Sequence, residues 1–294
     1  MHKFTHYIIV FTFLSQIYDY TGDIAAMRLL LYFLSVTIVF WNLENFFAPD
    51  PESEKRWTSS RFYSKCEGIA KTVMLIADAE GSLPDAVCFA EVGDSSVMAR
   101  LLRYTCLYKA GYRIIHYESP DHRGIDCAML YRASTLKKIY SRPCHLYDSS
   151  GEIMQTRDIL LAEFQTTCGD TLAVLVNHHP SKVGGGSSGG RSIAMDTMFA
   201  VCDTLICPTI AVGDFNDGSL FRGEGTYKYD GRWEKLDGCF HFRVRSIREK
   251  VFSHPSLTIP DKAHGGIKPK RTYVGPRYQG GISDHFPIVI TVDF

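Results

Sequence analysis

The sequence lacks the short motifs that mark many metal and nucleotide sites. Its nine cysteines include no C-x-x-C pair and their number is odd, so neither a zinc site nor a complete disulfide framework is expected. The chain has no H-E-x-x-H helix, which argues against a zinc hydrolase of that type, and no G-x-x-x-x-G-K-[ST] phosphate loop. The cysteine usage favours a reducing compartment such as the cytoplasm.

The chain also lacks an excess of charge of either sign. Lys and Arg number 32 and Asp and Glu number 32, with a pI of about 7.1, so the composition as a whole does not indicate a strongly basic nucleic-acid binder. The charge is uneven, however, because residues 221–279 hold 13 Lys and Arg against 6 Asp and Glu. This local excess predicts either a surface that faces phosphate or an ordinary solvated loop face.

No internal repeat and no long low-complexity linker interrupts the 294 residues, a length that suits one large α/β domain or two small ones. An apolar stretch at residues 7–14 is short for a membrane span, and no clean cleavage pattern follows it. We therefore predict an N-terminal extension or signal segment at residues 1–35 and a folded domain at residues 36–294. Export or envelope association through this segment stays open beside a cytoplasmic location.

Short apolar runs alternate with segments of helical spacing through the rest of the chain. We predict strands at 36–40, 86–90, 112–117, 127–131, 159–164, 172–176, 209–212 and 288–292, and helices at 60–77, 95–102 and 192–205. Strand pairs mixed with helical crossovers argue against a purely parallel, doubly wound sheet. The rhythm predicts two similar halves packed sheet on sheet, with helices outside.

Seven short polar motifs lie beside these predicted strands. They are Trp41-Asn42-Leu43-Glu44-Asn45, Ala90-Glu91, Gly124-Ile125-Asp126, Asn177-His178-His179-Pro180-Ser181, Gly213-Asp214-Phe215-Asn216-Asp217, Leu236-Asp237 and Ser283-Asp284-His285. Strand ends are where an α/β scaffold gathers a reaction site from distant parts of the chain. No motif is specific alone, but their order and spacing together predict one site.

Glu91 and Asn42 each follow a buried strand and offer oxygen donors, which suit Mg²⁺ and not zinc. A buried carboxylate needs a cation or strong donors, although capping of a turn is the alternative for either residue. Asp214 and Asn216 are two residues apart and share one face of an extended segment, where they could hold and polarise a water. The alternative there is an Asx turn.

His285 stands beside a carboxylate and can act as a general base, a phosphate ligand or a metal-site partner, with Asp237 as the second carboxylate that fixes its tautomer. His178 and His179 end a strand and point in opposite directions, so only one is expected to face the site and stabilise developing negative charge. Lys182 and Arg191 flank a Gly- and Ser-rich loop and are candidate phosphate contacts.

Taken in order, W-N-L-E-N, a strand-ending Glu, N-H-x-P-S, G-D-F-N-D and S-D-H resemble the endonuclease/exonuclease/phosphatase superfamily over nearly the whole chain. The resemblance implies a four-layered α/β (α+β) sandwich, two packed mixed β-sheets flanked by helices, and hydrolysis of phosphoesters with Mg²⁺ or Mn²⁺. The resemblance implies that Asn42 and Glu91 bind metal and that Asp284 is a second-site acid that touches metal. It implies that Asp214 activates the water or protonates the leaving group, with Asn216 orienting it, and that His285, oriented by Asp237, contacts the phosphate or acts as base. It implies further that His178 stabilises the pentacoordinate phosphate and that Asp126 contacts sugar or phosphate, for which capping of its turn is the alternative.

The pattern departs from the family in one motif, because many members have one residue between the Asn and the His. Asn177 and His178 are adjacent here, and we prefer His178 over His179 as the residue at the site.

The predicted activity is nuclease-like hydrolysis of a phosphodiester by in-line attack of an activated water, without a covalent intermediate. A nucleic-acid substrate needs a basic groove and stacking aromatic residues, with which the 221–279 segment is compatible. The alternatives are small-molecule or inositol phosphates and lipid head groups, the last suggested by the N-terminal apolar segment. A catalytically silent phosphate-binding module is a further alternative, against which the retention of Glu91, Asp214 and His285 argues. No obligate protein partner is implied, and membrane association would come only through the N-terminal segment.

Overall fold

The computed structural model describes residues 35–53, 56–181 and 188–294, which form two β-sheets and three α-helices. In chain order the strands are β1 (Ser35–Phe46), β2 (Ala86–Val92), β3 (Tyr112–His116), β4 (Asp126–Arg132), β5 (Leu136–Cys144), β6 (Ile159–Thr166), β7 (Thr171–His178), β8 (Thr209–Asp214), β9 (Tyr227–Tyr229), β10 (Arg232–Glu234), β11 (Asp237–Phe242), β12 (Ser246–Val251), β13 (Thr258–Pro260), β14 (Ile267–Pro269), β15 (Tyr273–Val274), β16 (Arg277–Tyr278) and β17 (Ile288–Asp293). The helices are α1 (Ser59–Glu80), α2 (Ser95–Arg103) and α3 (Ser188–Thr204), and short 3₁₀ helices cover Cys106–Ala110 and Pro255–Leu257.

Both large sheets are mixed. The first has six strands in the order β12-β17-β1-β2-β4-β3, and the second has five in the order β11-β8-β7-β6-β5. Each contains a single parallel pair, β1 with β2 and β7 with β8, while the other neighbours are antiparallel. The remaining strands form three two-stranded ladders in the loops of the C-terminal third.

Three apolar cores separate four layers. In β1, Val39 and Trp41 pack with α1 and α2 on one face of the first sheet, whereas Ile38 and Phe40 pack between the two sheets, because successive side chains of a strand point to opposite faces. A third core lies between the second sheet and α3, around Met198. The predicted four-layered sandwich of two mixed sheets flanked by helices is confirmed.

The helices begin and end as local chemistry predicts. The Thr58 hydroxyl accepts the Arg61 N–H at the start of α1, and Gly81 ends that helix in the left-handed region with φ of 80°. Asp94 caps α2 by accepting the Ser96 N–H at 2.8 Å. In the part of the chain that the structure describes, no helix has the length and apolarity needed to span a membrane. The segment predicted at residues 1–35 falls outside the described residues, apart from Ser35.

The topology brings the ends of some strands and the starts of others to one edge of the sandwich. Glu91 ends β2, and His178 and Asp214 end the parallel strands β7 and β8. Asp126 and Asp237 instead begin β4 and β11, which run antiparallel to these strands and so start at the same edge. Asp126 stands at the start of its strand, as the predicted strand at 127–131 implied, whereas the strand that Asp237 begins was not predicted.

Candidate active site

The Asp214 carboxylate lies at the centre of the polar edge. It is 2 % exposed, and its Oδ2 accepts the Asn42 Nδ2–H at 3.0 Å. The same oxygen is 3.9 Å from His178 Nε2 and 3.9 Å from His285 Nε2. The Asn42 amide also reaches Glu91 Oε1 at 3.5 Å, so it connects the carboxylates contributed by the two sheets.

Strained backbone aims the Glu91 carboxylate. Glu91 has φ of 58°, and Glu44 and Asn45 at the end of β1 have φ of 47° and 54°, values that non-glycine residues seldom adopt. This geometry lets the Asn45 N–H donate to Glu91 Oε2 at 2.9 Å. The Glu44 N–H donates to Oδ1 of the Asn42 side chain, also at 2.9 Å. Asn42 therefore turns its nitrogen, and not its oxygen, toward Glu91 and Asp214.

His285 is held from both sides. Its Nδ1 lies 2.7 Å from Asp237 Oδ2, an oxygen to which the Thr226 hydroxyl also donates. Trp41 Nε1–H donates to the His285 carbonyl at 2.9 Å, and the Tyr227 ring packs on the imidazole with centroids 4.9 Å apart. These contacts leave Nε2 as the ring atom directed at Asp214.

Burial and neighbouring charge set the protonation states. Burial, and then the charge of Asp237, raise the pKa of Asp214 to about 7. Burial alone would lower the pKa of His285, but the charge and hydrogen bond of Asp237 and the charge of Asp214 raise it well above its usual value. Burial, followed by the positive charges of Arg157 and Arg123, lowers the pKa of His178 well below its usual range. At neutral pH, one histidine is thus a cation and the other is neutral.

The two adjacent histidines face different surroundings. His178 Nε2 lies 3.8 Å from Glu91 Oε1, whereas the His179 ring packs edge-on against Phe215 with centroids 4.9 Å apart. Burial and then Arg157 lower the pKa of His179 to about 3, so it stays neutral. Of the pair, His178 is the one beside the carboxylates.

Asn216 supports the centre through its backbone. Its N–H donates to Asp214 Oδ1 at 3.0 Å, and its side-chain amide donates to the His179 carbonyl at 2.9 Å. With φ of 51°, it closes a turn that fixes the orientation of the carboxylate.

Asp284 and Asp126 pair with groups outside the set of ligand atoms around Asp214. Asp284 Oδ2 pairs with Arg271 Nη2 at 2.8 Å. Asp126 accepts the Ser119 N–H at 2.8 Å and faces His116 Nε2 at 3.2 Å. Lys182 falls outside the described residues, and Arg191 is half-buried in the first turn of α3.

Sequence reasoning missed Arg157, a buried cation behind the histidines. One of its terminal nitrogens donates to the His179 carbonyl at 2.7 Å, and the other donates to Asp121 at 3.2 Å. It stands just before β6, and a charged residue directly beside an apolar run is the signal that could have revealed it. It also missed Arg271, which lies in a loop without periodicity.

The donor set fits a hard divalent cation. Glu91, Asp214 and Asp237 bring three carboxylates to one edge, and Asp214, Asp237 and His285 offer ligand atoms within 4.8 Å of one another. His285 Nδ1 is hydrogen-bonded to Asp237, so these two residues form an oriented pair and do not act together as metal ligands. Burial, and then the charge of Asp237, raise the pKa of Asp214, and a cation near Glu91 would favour its ionised form.

Comparison with known proteins agrees with the fold. A sequence search among curated proteins finds no match. Among solved structures, the chain is similar to D. rerio TDP2 complexed with single strand DNA product, at 14% identity and a TM-score of 0.58 over 88% of this chain and 99% of that one. It is similar to the human Nocturnin catalytic domain with bound sulfate anion, at 15% identity and a TM-score of 0.54 over 88% and 94%. It is also similar to ANGEL2, a 2',3'-cyclic phosphatase, at 11% identity and a TM-score of 0.59 over 88% and 95%.

At such identities these likenesses establish the fold alone. The model of the Endonuclease/Exonuclease/phosphatase family, in contrast, matches residues 37–220 and 218–293, which is nearly all of the folded chain and includes every polar motif described above. The chain belongs to the endonuclease/exonuclease/phosphatase family, and this membership supports an activity that hydrolyses phosphoesters.

Proposed function

We propose that the chain is a metal-dependent phosphodiesterase that attacks its substrate with an activated water. The observation that carries the proposal is the buried Asp214 carboxylate, which lies between a hydrogen-bonded Asn42 and two histidines. A pKa of about 7 lets this carboxylate accept a proton from water or return one to a leaving group near neutral pH.

The chain's own residues divide the remaining work. The His285 cation, oriented by Asp237, neutralises charge on a phosphate oxygen, and neutral His178 donates to another. Glu91, with Asp214 nearby, would hold a Mg²⁺ or Mn²⁺ ion, which supplies Lewis-acid polarisation of the phosphate when it is bound. Asn42 keeps the two carboxylates at a fixed separation through its amide nitrogen.

A single-stranded nucleic acid is the substrate that we favour. The hairpin β9–β10 stands beside His285 and exposes 65% of Tyr229 and 39% of Trp233, aromatic surfaces on which bases can stack. The cationic residues of the 221–279 segment surround this hairpin in the sequence. The D. rerio TDP2 structure with a single strand DNA product supports the same class.

A substrate panel tests the proposal. Single-stranded and supercoiled DNA, bis-p-nitrophenyl phosphate, an inositol polyphosphate and sphingomyelin would be incubated with the chain in Mg²⁺ and in EDTA. We expect metal-dependent cleavage of DNA that Glu91→Ala abolishes and that Glu67→Ala, an exposed change on α1, preserves. Turnover only of the inositol phosphate or the lipid would replace the substrate class, and a folded chain inactive on all five would favour a phosphate-binding role.

A further inference from the structure

Arg271 joins two carboxylates next to the reaction centre. Its Nη2 is 2.8 Å from Asp284 Oδ2, and its Nε donates to Glu44 Oε1 at 3.4 Å. The second Glu44 oxygen accepts the Thr272 N–H at 2.7 Å. The guanidinium therefore lies between two carboxylates, and the buried Lys65 ammonium donates to the Glu44 backbone carbonyl at 2.9 Å.

The backbone around Arg271 is fixed by the segment that leads to Asp284. The Gly281 N–H donates to the Arg271 carbonyl at 3.1 Å, and the Ile282 N–H donates to the Lys270 carbonyl at 3.0 Å. A Cβ at Gly281 would lie only 2.5 Å from the Arg271 carbonyl oxygen, so the two segments approach as closely as glycine permits. Arg271 is therefore placed before any substrate arrives.

The ion pair connects Arg271 to the segment that carries His285. Asp284 directly precedes His285, and the Tyr227 ring packs on the His285 imidazole with centroids 4.9 Å apart. Since 42 % of the Arg271 side chain is exposed and a guanidinium carries five N–H donors, donors remain for a further anion.

We propose that Arg271 takes the place of a second metal ion at Asp284, so that the chain binds one divalent cation, near Glu91, and offers a fixed guanidinium to the substrate phosphate. The inference rests on the proposed phosphodiesterase activity. Asp284 is already neutralised by its ion pair, and among the described residues it does not belong to the group of ligand atoms around Asp214. An arginine binds a phosphate through paired N–H donors that match the phosphate geometry. A metal ion at the same place would neutralise the phosphate by its charge alone.

Counting bound Mn²⁺ by calorimetry and by electron paramagnetic resonance tests this inference without any substrate. We expect one ion per wild-type chain, one ion per Asp284→Asn chain with a Kd changed by less than about threefold, and none in Glu91→Gln. Two ions in the wild type and one in Asp284→Asn would overturn the inference and leave the proposed activity standing. No ion in the folded wild type would overturn both.

Arg271→Gln gives a second readout, with Arg277→Gln, an exposed change in the same loop, as its control. Without the guanidinium, Glu44 and Asp284 should recruit a second Mn²⁺, and kcat/KM for bis-p-nitrophenyl phosphate should fall by about tenfold to a hundredfold. One bound ion together with unchanged kcat/KM would contradict the assignment. If Arg271→Gln does not fold, the Mn²⁺ count in Asp284→Asn still decides.

Discussion

At the scale of single residues, two histidines beside the same carboxylate have pKa values shifted in opposite directions. His178 and His285 both lie 3.9 Å from Asp214 Oδ2. Burial, and then the charges of Arg157 and Arg123, lower the pKa of His178, whereas the charge and hydrogen bond of Asp237 outweigh burial and raise the pKa of His285. One imidazole therefore stays neutral while the other is protonated, and each can meet a different oxygen of a phosphate.

Asp214→Asn should lower kcat by about 10²- to 10⁴-fold, because the amide keeps the hydrogen bonds but cannot exchange a proton with water. KM should change little, and Asp203→Asn, an exposed change at the end of α3, should retain full activity. Steady-state kinetics on bis-p-nitrophenyl phosphate measures both. Full activity in Asp214→Asn would remove this residue from the mechanism.

Asp237→Asn should lower kcat by about 10- to 100-fold, since the amide weakens both the charge and the hydrogen bond that orient His285. Circular dichroism should show that the fold is kept, and kcat should be compared at saturating metal. An unchanged kcat would mean that Asp237 has only a structural role.

We expect His116 to make a pH-dependent contribution to the free energy of unfolding. Burial alone lowers its pKa, but the hydrogen bond and charge of Asp126 raise it above the usual value. The stabilisation is therefore complete below about pH 6.5, the value of an unfolded histidine, and is lost as the pH rises through the folded pKa. Urea unfolding of the wild type and of His116→Gln should give free energies whose difference narrows toward high pH. The control His241→Gln, an exposed change, should show a constant difference. A constant difference for His116→Gln would refute the ion pair.

At the scale of elements, the parallel pair β7–β8 depends on a close backbone approach. A Cβ at Gly213 would lie 2.6 Å from the Asn177 Cβ, inside the distance that real contacts allow. Asn177 faces Gly213 directly across the ladder, one residue before His178 meets Asp214. The glycine therefore sets how near the His178 and Asp214 side chains can come.

Gly213→Ala should lower the free energy of unfolding by about 1–3 kcal/mol or more and should also reduce activity, because the strands must move apart. Gly169→Ala provides the comparison, since Gly169 has φ of 85° in an open turn and should cost only about 1–2 kcal/mol of backbone strain without loss of kcat. Urea denaturation and kinetics separate the two. Equal kcat in both variants would argue against the close approach.

The sequence predicts some of these elements well and others poorly, for a physical reason. Strands covered on both faces, such as β2 and β8, appear as unbroken apolar runs, and all were predicted. The edge strands β5, β11 and β12 were missed. Exposed charged residues such as Lys137 and Arg248 interrupt the apolar pattern of β5 and β12.

Candidate site residues divide in the same way. Asn42, Glu91 and Asp214 follow predicted strands, so their convergence could be inferred. The pairing of Glu44 with Thr272 joins positions 228 residues apart, between a strand end and an irregular loop, and no local pattern encodes it.

At the scale of the whole molecule, a balanced net charge hides an uneven surface. The cations of the 221–279 segment lie in short strands and loops of the same third of the chain that supplies Asp237 and His285. A polyanionic substrate at the reaction centre would therefore be attracted by charges of this segment.

Lys262→Gln, an exposed change in this segment, should raise KM for a single-stranded oligonucleotide and reduce the slope of log KM against log salt concentration by about 0.7. Lys137→Gln on β5 should change neither quantity, and bis-p-nitrophenyl phosphate should be unaffected by both variants. Equal salt slopes in all three proteins would mean that the segment is only a solvated face.

The pairing of β1 with β17 has a consequence for the timing of assembly. Ser35 lies opposite Asp293 and Phe40 opposite Ile288, so the first described strand waits for a partner made about 250 residues later. Translation adds roughly 5–20 residues per second, so an emerging chain spends many seconds with β1 open on that side. His285 arrives with the same closing strand, so hydrolytic activity should appear only when the C-terminal strand has left the ribosome and docked. A nascent chain halted before that point would lack both His285 and the strand that lies between β12 and β1.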